Sequence, residues 1–215
     1  MSDMGAASSI RQSLPSDRLI VAFDFDGTLT VRDSFNAFLK WRAGAGGWYL
    51  GLARLAPALA AYVRDRDRGR IKAAAVREFL GGAPRAMLEA EAETFADMMF
   101  DRFMRPDALK TWTEWGGRGA HRVIVTASPE TTVAPFARRL GAEALLGTRL
   151  IFDDQDRVTG AFAGENCRGE EKVRRLRAAY GDGVRLKAAY GDTSGDTEML
   201  AIADAAGFRV FTARP

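Results

Sequence analysis

The sequence has one cysteine, Cys167, and one histidine, His121, among 215 residues. A single cysteine forbids an intrachain disulfide, which excludes the disulfide-stapled secreted scaffolds. It also excludes zinc centres built on several thiolates, and a single histidine excludes multi-histidine metal sites. A serine hydrolase fails on the same arithmetic, because His121 opens an apolar run and no Gly-x-Ser-x-Gly turn occurs. Long apolar runs are lacking too. The longest, residues 48–63, covers sixteen positions and is interrupted by Arg54 and Pro57, whereas a spanning helix takes about 20 apolar residues. An arginine at its centre would add about 2.5–3.5 kcal/mol to insertion. Residues 1–18 have no apolar core, so they are not a secretory signal. They read as a disordered leader on a cytoplasmic protein.

What is present suits one packed domain with an insert. The chain is 47% hydrophobic and 27% charged, which suits a folded protein and not a disordered one. At this length roughly 70% of the unfolded surface is buried on folding, so the core needs no staples. Thirty-one Lys and Arg against 28 Asp and Glu leave a formal charge of +3, but the two signs are interspersed. The densest run, residues 64–70, alternates sign. A nucleic-acid binder gathers its excess on one face or tail, and no nucleic-acid partner is expected.

Residues 19–23 form a short apolar run of the kind buried on both faces of a sheet. Turn residues Asp24-Phe25-Asp26-Gly27-Thr28 follow directly. Helical spacing then takes over: Asp33 can cap a helix from Ser34, Gly81-Gly82 stops a helix starting near Arg70, and Pro106 begins one ending at Gly116-Gly117. Strands are expected at 121–125, 145–152, 157–162, 184–190 and 208–211, with helices at 128–141, 169–180 and 196–203. Strands alternating with helices imply an α/β fold with a mostly parallel sheet. Residues 33–118 would be an all-helical insertion, and 19–32 with 119–215 the α/β core. Ligands in such sheets bind beyond the carboxyl ends of the strands. Asp24 and Asp26, Thr126 to Ser128, and Asp192 to Asp196 each follow a strand, so three polar clusters converge on one edge.

Two like charges about 4 Å apart repel by roughly 4 kcal/mol at an effective dielectric near 20. Asp24 and Asp26 therefore admit two readings, an Asx-type turn or ligands for a hard cation. Gly191-Asp192-Thr193-Ser194-Gly195-Asp196 adds two carboxylates on the same edge, which favours a shared Mg2+. Thr126 at a strand end, before a Pro-initiated helix, marks an anion site with Thr126 as ligand and Ser128 mainly as cap. Lys172 lies in the first turn of a helix, where the dipole disfavours a cation, so it either faces a buried negative cluster or sits on a charged surface.

Taken together, Asp24-Phe25-Asp26-Gly27-Thr28-Leu29-Thr30, Thr126, Lys172 and the 191–196 segment resemble, in order, the four motifs of the haloacid dehalogenase superfamily. The likeness runs over residues 19–211, and the helical insertion is similar to the C1 cap of the phosphoserine-phosphatase-like branch. The resemblance implies a Rossmann-like core and a Mg2+-dependent phosphatase acting on a small phosphorylated substrate. It makes Asp24 the nucleophile, Asp26 the general acid and base, and Thr126 and Lys172 the holders of the phosphoryl oxygens. Asp24, Asp26 through its carbonyl, and Asp192 would bind the metal, supported by Asp196. Gly27, Thr28, Ala127 and Ser128 are the candidate phosphate-binding positions in the two turns. The insertion contributes Asp33, Arg70 and Lys72 as substrate candidates, the last two reading equally as solvated charges. Phosphoserine phosphatases carry glutamate where this chain has Asp33, one methylene shorter, so the resemblance leaves phosphoserine unassigned as the substrate. A phosphotransferase differs only in the acceptor.

The stretch with Trp41, Trp48, Tyr49 and Tyr62, set among Arg42, Arg54 and Arg64, has three readings. It packs the cap helices together, lines a pocket for a greasy substrate, or lies on a membrane surface. The latter two point to lipid phosphates such as lysophosphatidate or phosphatidylglycerophosphate.

Overall fold

The computed structural model describes residues 19–215; the expected leader lies outside them. Five parallel strands form the sheet: β1 (Ile20–Phe23), β2 (His121–Pro129), β3 (Ala144–Thr148), β6 (Leu186–Gly191) and β7 (Ala203–Phe208), in the order β3-β2-β1-β6-β7. Two short antiparallel strands, β4 (Leu150–Phe152) and β5 (Val158–Phe162), make a separate hairpin. β1 is central and fully buried because successive residues point to opposite faces. Val21 and Phe23 enter one apolar cluster with Ile124 and Ala188, while Ile20 and Ala22 enter another with Val123, Val125, Leu186 and Cys167.

Eight α-helices are described. The first five, α1 (Ser34–Arg54), α2 (Ala56–Asp65), α3 (Arg68–Leu80), α4 (Arg85–Phe103) and α5 (Pro106–Gly117), follow one another between β1 and β2. The last of them packs directly on the sheet. Trp112 of α5 lies against Phe23 and donates from Nε1 to the Leu140 carbonyl at 2.9 Å, and Trp115 donates to the Tyr190 hydroxyl. Of the remaining helices, α6 (Glu130–Leu140) and α8 (Thr197–Ala201) connect strands of the sheet, and α7 (Glu170–Tyr180) leads from the hairpin to β6. The hairpin is bound to the insertion by main-chain hydrogen bonds, Gly82 N–H to Val158 O and Val158 N–H to Ala83 O.

Two strand expectations need correction. The 145–152 run is not one strand: it ends in the sheet at Thr148, and residues 150–152 turn away to pair with β5. An apolar run cannot show where a chain leaves one sheet for another. The final strand begins at Ala203, earlier than the expected 208–211. Its alanines favour helix in isolation, and parallel pairing with β6 overrides them. At Gly207 a Cβ would stand 2.5 Å from the Tyr190 ring, so close packing fixes glycine there.

Candidate active site

The carboxyl ends of β1, β2 and β6 meet in one pocket of about 290 Å³. Asp24 leaves β1 with extended backbone, and the chain then turns through Gly27 at φ +87°, a conformation that glycine adopts without strain. A side chain there would also collide with Asp192, whose Oδ2 lies 2.3 Å from an added Cβ. Thr28 is buried behind the turn and directs its hydroxyl to Asp24 Oδ2 at 3.3 Å and Asp192 Oδ1 at 3.4 Å. It braces two carboxylates and does not line the pocket.

Lys172 answers the question its position raised. Its Nζ donates to Asp24 Oδ1, Asp196 Oδ1 and the Val125 carbonyl, each at 2.6 Å, and the residue is 1% exposed. All three ammonium protons are thereby used. Burial alone would lower its pKa; Asp24 and then Asp196 outweigh that and hold the group charged, above its ordinary value. Burial pushes Asp24 up to about 7, against the opposing pull of Lys172. For Asp196 the burial effect is overcome by Lys172 and by N–H and O–H donors, so it stays below the usual carboxylate range. Its Oδ2 accepts from the N–H groups of Asp192 and Thr193 and from the Thr193 hydroxyl, which ties the loop after β6 into shape.

Asp24, Asp192 and Asp196 each bring a carboxylate oxygen within 4.8 Å of the others. The donor set fits a hard divalent cation, which prefers oxygen ligands. Asp196 has both oxygens engaged and acts as a support. Asp192 has one long contact from Thr28, and burial and then the Asp196 charge raise its pKa.

Asp26 is held from two sides. Its Oδ1 accepts from the Ser34 N–H at 2.7 Å and hydroxyl at 2.5 Å, and its Oδ2 from the Ser128 hydroxyl at 2.5 Å. Burial and then the nearby Asp33 raise its pKa. Ser128 therefore does not cap its helix, which starts after Pro129 without a side-chain cap. Its N–H is bonded to Thr126 Oγ1 at 3.0 Å. Thr126 is fully buried, and the residue lines the pocket with Gly27, Ala127 and Ser128.

The insertion closes the pocket from above. Lys72 reaches in and donates to the Ala127 carbonyl at 2.9 Å, with burial lowering its pKa. Asp33 stands at the rim and caps α1 by accepting from the Asn36 N–H at 2.8 Å. Arg70 is not brought to the site. It is exposed and borders a separate crevice between α2 and α3. Three contributors escaped the sequence reading. Arg168 lines the pocket and donates to the Thr193 and Ser194 hydroxyls, Asn166 borders the adjoining cavity, and Ser34 fixes Asp26. Arg168 and Asn166 lie in a loop with no periodicity to mark them.

A family model described as haloacid dehalogenase-like hydrolase matches residues 21–201. Protein CicA of Caulobacter vibrioides is 57% identical over 212 residues, 99% of this chain and 95% of that one. A structure of a protein of unknown function from Bordetella pertussis Tohama I superposes with a TM-score of 0.73 at 24% identity, covering 88% of this chain and 89% of the other. A phosphoserine phosphatase solved as a phospho-aspartyl intermediate analogue gives 0.58 at 21% identity, covering 88% and 85%. With its parallel sheet, its three acidic and hydroxyl loops on one edge and this match, the chain belongs to the haloacid dehalogenase-like hydrolases.

Proposed function

We propose that this pocket hydrolyses phosphomonoesters in two steps, with Asp24 as the nucleophile. The observation that carries the reading is Asp24 itself: a buried carboxylate held by Lys172 on one side, facing Asp192 on the other, with Asp26 opening on the same pocket. A carboxylate oxygen of Asp24 attacks phosphorus and the bond to the leaving oxygen breaks. Asp26, whose pKa burial raises, gives that oxygen its proton. In the second step Asp26 takes a proton from water, whose oxygen attacks phosphorus. Inorganic phosphate leaves and the Asp24 carboxylate is restored. Thr126 holds a phosphoryl oxygen, and Lys172 holds another by passing to it the hydrogen bond it gives Asp24, whose oxygen loses charge as it bonds to phosphorus. Asp24, Asp192 and the Asp26 carbonyl would hold Mg2+, which when bound neutralises the charge that a carboxylate and a phosphate dianion bring together.

The test is phosphate release from p-nitrophenyl phosphate with and without a chelator, paired with mass spectrometry of acid-quenched enzyme. Release is expected to stop on chelation and return with Mg2+, and a phosphoryl increment is expected on the peptide containing Asp24. Undiminished release in chelator, or an increment on another residue, would overturn the reading.

Ser128→Ala checks the part played by Asp26. The variant removes the hydroxyl that holds Oδ2 and leaves a half-buried oxygen without its donor, a loss of about 1.5 kcal/mol or tenfold in rate. We expect kcat to fall about tenfold and the melting temperature to fall by about 3–6 °C. A full rate would mean that this hydrogen bond does not position the acid.

A further inference from the structure

The segment from residue 45 to 65 is apolar on both of its faces. Leu55 joins α1 to α2 with helical dihedrals, and the bonds Leu55 N–H to Gly51 O and Leu59 N–H to Leu55 O keep the helical period across the junction. One stripe, Gly51-Leu55-Ala58-Tyr62, turns inward. Gly51 comes so close to Phe79 that an added Cβ would lie 2.3 Å from its ring, and Trp48 stacks on the same ring. The opposite stripe is Tyr49-Ala53-Ala56-Ala60-Val63, at spacings of four and three, and every member is exposed. Tyr49 is 69% exposed, Val63 68% and the adjacent Leu50 53%. A helix that is apolar all round needs cover on both sides, and α3 covers only one.

Charge selects what covers the other. Between residues 34 and 80 there are nine Lys and Arg against three Asp and Glu, in a chain whose total is only +3. Arg64 and Arg66 are exposed just beyond the outer stripe, while Arg54, also exposed, is paired with Glu78 of α3. A second copy meeting this face through a two-fold axis would set these arginines against their equivalents, whereas an anionic surface complements them. The arm also reaches the site. Leu59 and Tyr62 line a cavity of about 460 Å³ with Phe35 and Ile71, and this cavity shares Lys72 and Arg168 with the catalytic pocket. Among the described residues no helix is long and apolar enough to cross a membrane.

We propose that the outer stripe of this arm seats on an anionic bilayer, and that the substrate is a phosphomonoester carried by a lipid there. The docking stands on the surface alone; the substrate class rests on the hydrolase reading above.

The test is sedimentation of the full chain with vesicles of phosphatidylcholine plus phosphatidylglycerol, and of phosphatidylcholine alone. Two arginines near the surface, each worth about fivefold, predict a preference for the anionic vesicles of about 25-fold, lost in high salt. The combined variant Tyr49→Asp, Leu50→Asp, Val63→Asp, whose sites lie outside both cavities, is expected to bind at least about tenfold more weakly. It should also release phosphate about tenfold more slowly from phosphatidic acid in those vesicles, while p-nitrophenyl phosphate turnover stays unchanged. Docking is overturned if the wild type stays in the supernatant, if the variant binds like it, or if the wild type is a dimer that the variant splits. Docking without any release from phosphatidic acid overturns the lipid-borne substrate. Vesicle binding with no turnover of either substrate would instead sink the hydrolase reading and leave docking in place.

Discussion

Asp24→Asn is expected to abolish turnover, lowering kcat by about 10⁴-fold or more, the scale seen when a catalytic nucleophile is removed. The amide is nearly isosteric with the carboxylate and its oxygen can still accept from Lys172 at 2.6 Å. What it lacks is the charge and nucleophilicity needed to form a bond to phosphorus. The fold should not suffer. Lys172 keeps Asp196 as a carboxylate partner, and neutralising Asp24, which burial raises to about 7, relieves repulsion from Asp196 and Asp26 that offsets the lost ion pair. The variant should melt no lower than the wild type when both are measured without divalent ions, the usual opposition between a strained site and stability. Rapid-quench assay with p-nitrophenyl phosphate and thermal melting check the two halves together. A folded variant with appreciable turnover would remove Asp24 from the chemistry, and an unfolded one would show that its charge holds the core.

The main lines of this site were legible because topology does much of the placing. Once 19–23, 121–125 and 184–190 read as strands in a βα alternation, their following loops had to share an edge, and they do. Lys172 was legible as an exception: a cation in the first turn of a helix asks for a negative partner, and two carboxylates supply it. Arg70 and Lys72 show where sequence stops helping. Residues two apart on a helix point to different sides, so at most one could face the pocket, and the apolar residues around α3 do not say which. The structure turns Lys72 inward and Arg70 toward α2. Ser128 was misassigned because a serine before a helix fits a cap, and only the distant Asp26 draws its hydroxyl away. Arg168 was missed because its place depends on how the loop before α7 folds over Gly195, where a Cβ would stand 2.3 Å from its guanidinium.

Lys172→Met tests the other side of the charge balance. Methionine keeps much of the length and removes the ammonium, so Asp24 and Asp196 lose the one cation they share and the Val125 carbonyl loses its donor. Breaking a buried ion pair by deleting one partner costs about 3–5 kcal/mol, a cost reduced where the carboxylates can take up a proton or a metal ion. The melting temperature measured in chelator should therefore fall, and divalent ions should restore part of it. Catalysis should fall further than stability explains. Removing one preorganised donor from a developing oxyanion lowers kcat by about 10²–10³-fold, and that loss should persist in saturating Mg2+ with the protein fully folded. Lys172→Arg separates charge from fit: it retains the cation but places a planar fork where a compact ammonium sits, so it should recover stability more than rate. If the methionine variant turns over at the wild-type rate while folded, Lys172 is a structural tie between α7, β1 and β6 with no hand in phosphoryl transfer.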